Sequence, residues 1–157
     1  MIAFAKPTKQ MIAKPTFRVY EPTDRAKCLR LFDENCPEFF APNEREDYSD
    51  FLAHDPKDYV VVSSEDKILA AYGLHPLAGN AAALHWILLS RSLQGQGLGS
   101  LIMSRVLSQM RDSNRSALYI SASHKSAPFF SRFGAIEISR EPDGWGPGMH
   151  RVEMRIS

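Results

Sequence analysis

The stretch that most restricts how this chain can fold covers residues 84–112. An apolar run, Leu84-His85-Trp86-Ile87-Leu88-Leu89, gives way to Ser90-Arg91-Ser92-Leu93-Gln94 and then to three glycines set two apart, Gly95, Gly97 and Gly99. The apolar run reads as a buried strand. Behind the glycines, Leu98, Leu101, Ile102, Val106 and Met110 form one stripe at helical spacing, while Ser104, Arg105, Ser108 and Arg111 fall mostly on the other side. That spacing predicts an amphipathic helix from residue 97 to about 112. The backbone N–H groups from Gly95 to Ser100 then point out of a helix N-terminus, where they and the helix dipole favour an anion. Lacking Cβ atoms, the glycines let a bulky phosphate come close to the main chain, and each loses conformational entropy that packing alone does not explain. Two familiar phosphate loops are excluded. The spacing is not Gly-x-Gly-x-x-Gly, because Ser100 stands where the third glycine is needed, and no Gly-Lys-Ser/Thr follows as a Walker A loop requires.

Around this stretch the elements alternate. Residues 17–20 read as a short strand, and Pro22-Thr23-Asp24 opens a helix that carries Ala26, Leu29, Leu31 and Phe32 towards Asn35 and stops at Pro37. A second helix is expected from 43 to about 53. Strands are expected at 59–62, 68–74, 82–89 and 117–122, with a turn at 64–67. A short helix at 127–133 leads into a closing hairpin of 136–139 and 149–156, whose turn region, Pro142-Asp143-Gly144-Trp145-Gly146-Pro147-Gly148, is rich in Gly and Pro. The order β-α-α-β-β-β-α-β-α-β-β predicts a mixed α/β (α+β) fold: one central sheet of about seven strands flanked by about four helices.

A chain of 157 residues has the length of one domain, taken as residues 17–157, and by size scaling it buries about 69% of its unfolded surface. That is enough for a core without disulfides or metals. The net charge of +1 gives no electrostatic reason to expect nucleic acid or an anionic membrane as partner. No apolar run approaches the length of a membrane span. Cys28 and Cys36 are the only cysteines, with no nearby histidine to complete a metal frame, and read as reduced thiols of a cytoplasmic protein. Residues 1–16, where Ile2-Ala3-Phe4-Ala5-Lys6-Pro7-Thr8 is echoed by Met11-Ile12-Ala13-Lys14-Pro15-Thr16, read as a flexible N-terminal arm rather than a signal peptide.

Gln94-x-x-Gly97-x-Gly99, between a strand and a helix, resembles the pyrophosphate loop of the GNAT-type N-acetyltransferase superfamily, which binds acetyl-CoA. Downstream, Ser126-Ala127-Pro128-Phe129-Phe130-Ser131-Arg132-Phe133-Gly134-Ala135 is similar to that superfamily's second signature, an aromatic-rich short helix ending at a glycine before a strand. The resemblance covers residues 17–156 in element order and is sharpest over 84–134. It implies a sheet splayed at the acetyl-CoA site, acetyl-CoA as co-substrate with no metal, and transfer of the acetyl group to a primary amine of a small molecule or peptide by direct attack in a ternary complex. A non-catalytic acyl-CoA-binding or sensory module of the same fold is the alternative. Monomer and homodimer both remain open. A nucleotide-binding domain unrelated to acetyl transfer is disfavoured by the glycine spacing.

Residue by residue, the resemblance implies that the main chain of Ile87, Leu88 and Leu89 bonds the pantetheine arm. The amides of Gly95, Gln96, Gly97, Leu98, Gly99 and Ser100 hold the pyrophosphate, Gln94 braces the loop, and Ser123 contacts the pantetheine or its thioester. Strand alternation puts Ala83, His85, Ile87 and Leu89 on one face, and Leu84, Trp86 and Leu88 on the other. His85 is then expected beside the thioester as general base, with a histidine hydrogen-bonded at a strand edge as the plain alternative. Its distance of nine residues from Gln94 resembles one of the paired strand histidines of the arylalkylamine acetyltransferases; the place of the other is Ala83. Many family members carry a tyrosine four residues before the second signature's glycine, as acid for the leaving thiolate. Phe130 stands there in this chain and has no proton to give, so no general acid is assigned. On the acceptor side the resemblance points to Glu38, Phe39, Phe40, Trp145 and His150, since aromatics with one acid suit a small amine. Phe39 and Phe40 also read as plain packing. His150 alternates with Val152, Met154 and Ile156 and is expected to face inward, as a core histidine or a pocket residue.

Overall fold

β-Branched and aromatic runs become strands, and stretches with apolar residues at helical spacing become helices. The computed structural model describes residues 14–157. Among them lie β1 (Thr16–Val19), a 3-10 turn (Pro22–Asp24), α1 (Arg25–Asn35), α2 (Glu44–Ala53), β2 (Tyr59–Ser64), β3 (Lys67–Leu77), β4 (Ala81–Leu89), a second 3-10 turn (Arg91–Leu93), α3 (Leu98–Asp112), β5 (Ala117–Ser123), α4 (Ala127–Ser131), β6 (Ile136–Gly146) and β7 (Met149–Ile156). The seven strands form one sheet in the order β1-β2-β3-β4-β5-β7-β6. All neighbours are antiparallel except β4 and β5. This is the mixed α+β architecture with four helices that the element order predicts.

The parallel pair carries the feature that positions the site. β4 and β5 pair only from Ala81↔Ala117 to Leu84↔Ile120. Beyond Leu84 they part, and the sheet opens into a V. The parting coincides with a bulge in β4: the register against β3 moves from Gly73↔His85 to Ala71↔Leu88, so β4 holds one more residue than its partner across that step. Trp86 carries the strain as a φ of +45°. A bulge bends its own strand and sharpens the twist, which takes the end of β4 away from β5. The extra residue also breaks the alternation expected for this strand. Leu88 packs with Val61, Ala71 and Tyr59 beneath α1 and α2, whereas Ile87 and Leu89 pack against the core on the α3 side. His85, paired with Gly73 and in ring contact with Phe51 of α2 and with Tyr59, therefore shares its face with Leu88, not with Ile87 and Leu89.

Each face of the sheet has its own core. Leu84, Ile120, Val152 and Met154 lie beneath Ile102, Met103 and Val106 of α3, and Phe130 of α4 closes that layer. Leu31 and Phe32 of α1, with Tyr48 and Leu52 of α2, cover the other face. On α3 the buried stripe takes Met103 in place of Leu101, which is 41% exposed. Tyr59, fully buried in the second core, donates its hydroxyl hydrogen to the carbonyl of Trp86 at 2.6 Å and accepts from the Tyr48 hydroxyl at 2.8 Å. The bulge is thus held by a hydrogen-bonded chain from α2 through β2.

Some boundaries differ from the sequence reading. Thr16 pairs with Ser63 and belongs to the sheet, not to an arm; the expectation for residues 1–13 lies outside the described residues. β3 extends to Leu77 because Gly79 and Asn80, with φ of +73° and +59°, make the reversal later than expected. β6 continues through the Gly/Pro segment to Gly146, with its register slipping between Glu141 and Gly146. There the Asp143 main-chain N–H donates to His150 Nδ1 at 3.0 Å, and Asp143 Oδ1 accepts from Gly148 N at 2.7 Å.

Tyr59→Phe removes the donor to the Trp86 carbonyl and the acceptor for Tyr48. Leaving buried polar groups without partners costs on the order of 1–3 kcal/mol. A urea titration is expected to show the midpoint lowered accordingly, and an unchanged midpoint would refute the role given to this hydroxyl.

Candidate functional site

The V between β4 and β5 is the wall of a cleft of about 680 Å³ that runs from the glycine loop at one end to α2 and Trp145 at the other. Ile87 and Leu89 line it from β4, and Tyr119, Ser121 and Ser123 from β5. Because the ladder between the two strands stops at Leu84↔Ile120, neither strand completes the other's inner edge along this cleft. An extended ligand can take that place, as a peptide adds a strand to an open sheet edge. Leu88 turns its side chain into the opposite core and is not among the residues that line the cleft.

At one end, Gly97 caps α3 in the left-handed region with φ of +88°, and Gly95 has φ of +81°. Side chains other than glycine adopt such angles rarely, so the helix start keeps its geometry only with these residues. Gly99 lies against the Phe129 ring, which a Cβ there would meet at 2.8 Å, so the two sequence signatures are in direct contact. Leu98 is buried beneath its own helix, Ser100 lines the cleft, and Gln96 turns its amide back to the Ser92 carbonyl at 3.0 Å. Gln94 donates to Asn35 Oδ1 at 2.9 Å, while Asn35 Nδ2 donates to the carbonyl of Leu89 at 2.9 Å. One asparagine at the end of α1 thus ties the loop to the parted strand. Lys125 and Arg132 add two cations to this end of the lining, with Arg132 over the Phe129 ring at 5.3 Å. Ser123 and Ser126 bond each other's backbone N–H at 3.1 Å and brace the exit of β5.

His85 borders the cleft from β4. Its Nε2 is sealed with no hydrogen-bond partner among the described residues, wedged against Gly73, where a Cβ would overlap the ring. Nδ1 is the ring nitrogen not sealed in this way. Burial pushes the imidazole pKa below its ordinary value, and the neighbouring His75 works in the same direction against the pull of Asp58. His75 itself bonds Asp58 through Nδ1 at 2.7 Å. The ring of His85 is therefore neutral at pH 7.

The other end is aromatic. Phe39, Phe40, Trp86 and Trp145 line it. Phe40 stacks on Trp86 at 6.1 Å, and the Trp145 indole donates to the carbonyl of Ala122 at 2.9 Å, pinning the β6–β7 hairpin to the parted end of β5. Two expected residues lie elsewhere. Glu38 turns to the surface and pairs with Arg91, away from the cleft. His150 shares the alternation of Val152 and Met154 but sits beyond the core, its ring against His124 at 4.6 Å and outside the cleft lining. The acid that does border the aromatic end is Glu44. It is 4% exposed, and its Oε2 accepts from the Ala41 N–H at 2.7 Å. Burial pushes its pKa up to about 7, with nearby Asp47 adding to the rise.

Comparison with known proteins agrees with this geometry. The family model for Acetyltransferase (GNAT) family matches residues 28–135. The chain belongs to the GNAT acetyltransferase family. Among solved structures, a GNAT-family protein from Desulfovibrio desulfuricans is similar at 23% identity with a TM-score of 0.70, covering 92% of this chain and 99% of that one. Ard1 from Thermoplasma volcanium gives 15% identity and a TM-score of 0.75 over 92% and 97% of the two chains. The yncA protein from Salmonella typhimurium, solved with its cofactor acetyl-CoA, gives 12% identity and a TM-score of 0.64 over 92% and 94%. No curated protein matches the sequence significantly. Among the described residues of this GNAT chain, no group of three or more His, Cys, Asp or Glu side chains is placed to hold a metal ion, and no helix is long and apolar enough to cross a membrane.

Sequence reasoning missed Asn35, Gly73, Tyr59 and Glu44. The first three act through partners far away in the chain, which no local pattern reveals. Glu44 had a usable signal: an acid at the first position of a helix that begins after Ala41-Pro42-Asn43, next to an aromatic pair.

The raised pKa of Glu44 makes stability depend on pH. Its folded pKa of about 7 lies above the ordinary 4.5, so the folded state holds the proton longer than the unfolded chain does. Its favourable contribution is fully present below pH 4.5 and is lost as pH rises through 7. Glu44→Gln keeps an oxygen for the Ala41 N–H and carries no charge. Relative to wild type it is expected to gain on the order of 1–3 kcal/mol between pH 4.5 and 8. Chemical denaturation of both proteins at the two pH values measures this difference, and equal gains at both would contradict the burial of the carboxyl.

Proposed function

We propose that this chain transfers an acetyl group from acetyl-CoA to a primary amine of a small molecule or peptide, by direct attack in a ternary complex. One observation carries the reading: the unpaired edges of β4 and β5 lead straight to a helix start left free of side chains at Gly95 and Gly97, with Gly99 packed against Phe129 behind it. An acyl-pantetheine arm would add between the strands through the main chain of Ile87, Leu88 and Leu89. Its pyrophosphate would meet amides between Gly95 and Ser100, other than the Gln96 N–H that donates to the Leu93 carbonyl at 3.2 Å, with Lys125 and Arg132 supplying positive charge. Ser123, on the opposite strand, would face the arm near its thioester.

His85 would take the proton from the attacking amine at Nδ1, since its burial keeps the ring neutral and ready at pH 7. The new C–N bond forms as the thioester C–S bond breaks, and because Phe130 has no proton to give, CoA leaves as the thiolate. A covalent acyl-enzyme is disfavoured by the cysteines. Cys28 is fully buried, with burial pushing its thiol up to about 12, and Cys36 is not part of the cleft lining.

The second reading, an acyl-CoA-binding module without turnover, is favoured by Phe130 alone. Calorimetry is expected to show binding of acetyl-CoA in preference to ATP and NAD, and a panel of amines and peptides is expected to release thiol from it. Binding without thiol release would favour the second reading; no binding would remove both. His85→Ala is expected to lower kcat/KM by roughly 10²–10⁴ near neutral pH. Rates equal to wild type across pH 6–9 would leave His85 a packing residue.

A further inference from the structure

The cleft is divided by charge along its length. Its lining cations, Lys125 and Arg132, come from the β5–α4 connection and the end of α4, beside the glycine loop. Its buried anion comes from the far end. Glu44 stands at the first turn of α2, where Phe40, Trp86 and Trp145 form the lining. The carboxyl is held by the Ala41 N–H alone: no described lysine, arginine or histidine pairs with it. A carboxylate sealed from water without a cation is costly, whereas one that receives a ligand's cation there gains a charge-assisted hydrogen bond in a low-dielectric site.

We propose that Glu44 is the recognition group for the acceptor's ammonium, and that the acceptor is a primary amine on an aromatic or bulky apolar body. The inference rests on the acetyl-transfer reading for what the amine is there to do, but the binding itself stands on this end of the cleft. The stacked Phe40 and Trp86 rings and the anchored Trp145 indole present flat apolar walls for such a body. A carboxylate-bearing or phosphorylated acceptor would place its anion beside Glu44, while the cations nearest that end, Arg151 over Trp145 and Arg91 over Phe39, are already paired with Glu153 and Glu38, so those classes are disfavoured. Glu38, the nearer acid to Phe39 in sequence, is spent on Arg91 and leaves the role to Glu44.

The test is a binding experiment with 2-phenylethylamine and its neutral counterpart 2-phenylethanol, on the full chain with and without bound CoA. The indole N–H signals of Trp86 and Trp145 report occupancy by NMR. Wild type is expected to bind the amine roughly 10–100-fold more tightly than the alcohol, as one charge-assisted hydrogen bond provides. Glu44→Gln, which keeps the bond to Ala41, is expected to bind both with the wild-type affinity for the alcohol. That unchanged alcohol affinity shows that the pocket survives the substitution. A variant that still prefers the amine, or a wild-type protein that does not distinguish the two or binds neither, overturns the proposal. Failure of the acetyl-transfer reading shows separately, as absence of acetyl-CoA binding or thiol release, and does not alter the amine titration.

Discussion

Two parallel strands that begin as neighbours and then separate are the constraint from which the rest of this structure follows. Strand pairing normally satisfies every inner backbone group, and leaving an edge open inside a domain is unfavourable unless something else meets those groups. Here β4 is turned away at Trp86, and the resulting conformation is maintained by a hydroxyl chain, Tyr48 to Tyr59 to the Trp86 carbonyl, reaching in from the α2 side. Asn35 does the same at the strand's far end by bonding the Leu89 carbonyl. On β5 the Trp145 indole satisfies the Ala122 carbonyl. Each parted strand thus has part of its polar backbone met by a side chain from the helices or the last hairpin. The opening is a built feature of the fold rather than frayed pairing.

The same burial that shapes the cleft sets its protonation. Taking His85 out of water disfavours its cation and lowers its pKa; taking Glu44 out of water disfavours its anion and raises its pKa to about 7. An acid and a base are thereby both shifted towards neutrality by one cause. The cations that line the cleft, Lys125 and Arg132, lie at the other end beside the helix start, whereas Arg151 and Arg91, against Trp145 and Phe39, are paired with Glu153 and Glu38. On the proposed reading, a dianionic and a cationic ligand entering one cleft would be sorted to opposite ends before any chemistry occurs.

What the sequence revealed was whatever is local. The glycines at 95, 97 and 99 and the aromatic run at 129–130 each declare a backbone conformation or a short helix within a few residues, and both lie where their spacing predicts. The partner of Gln94 is 59 residues away, and no pattern around Gln94 points to Asn35. His85 was legible as a polar residue in an apolar strand, but its face was not, because one bulged residue reverses the alternation from which the face was inferred. Glu38 and Glu44 show the same limit in the irregular segment after α1. There, without a period to fix direction, nearness in sequence to Phe39 points to Glu38, whereas the distant Arg91 draws that carboxylate away from the cleft and Glu44 is the acid that borders it.

The two ends of the cleft are made of different materials, and this bears on how far function carries across the fold. The glycine end is mostly backbone: its requirements are helix geometry, uncovered amides and a strand edge, which many sequences can meet. That is consistent with TM-scores of 0.64 to 0.75 at identities of only 12–23%. The aromatic end is made of side chains from the segment after α1, from α2 and from the last hairpin, where a single substitution changes the charge or shape of the wall. On the proposed reading, the handle for acyl-CoA would belong to the architecture, while the choice of amine would fall to a few residues such as Glu44, Phe40 and Trp145. Two of them also serve the fold, since Trp145 pins the last hairpin to β5 and Glu44 bonds the Ala41 N–H, so a change there would alter the wall and its support together.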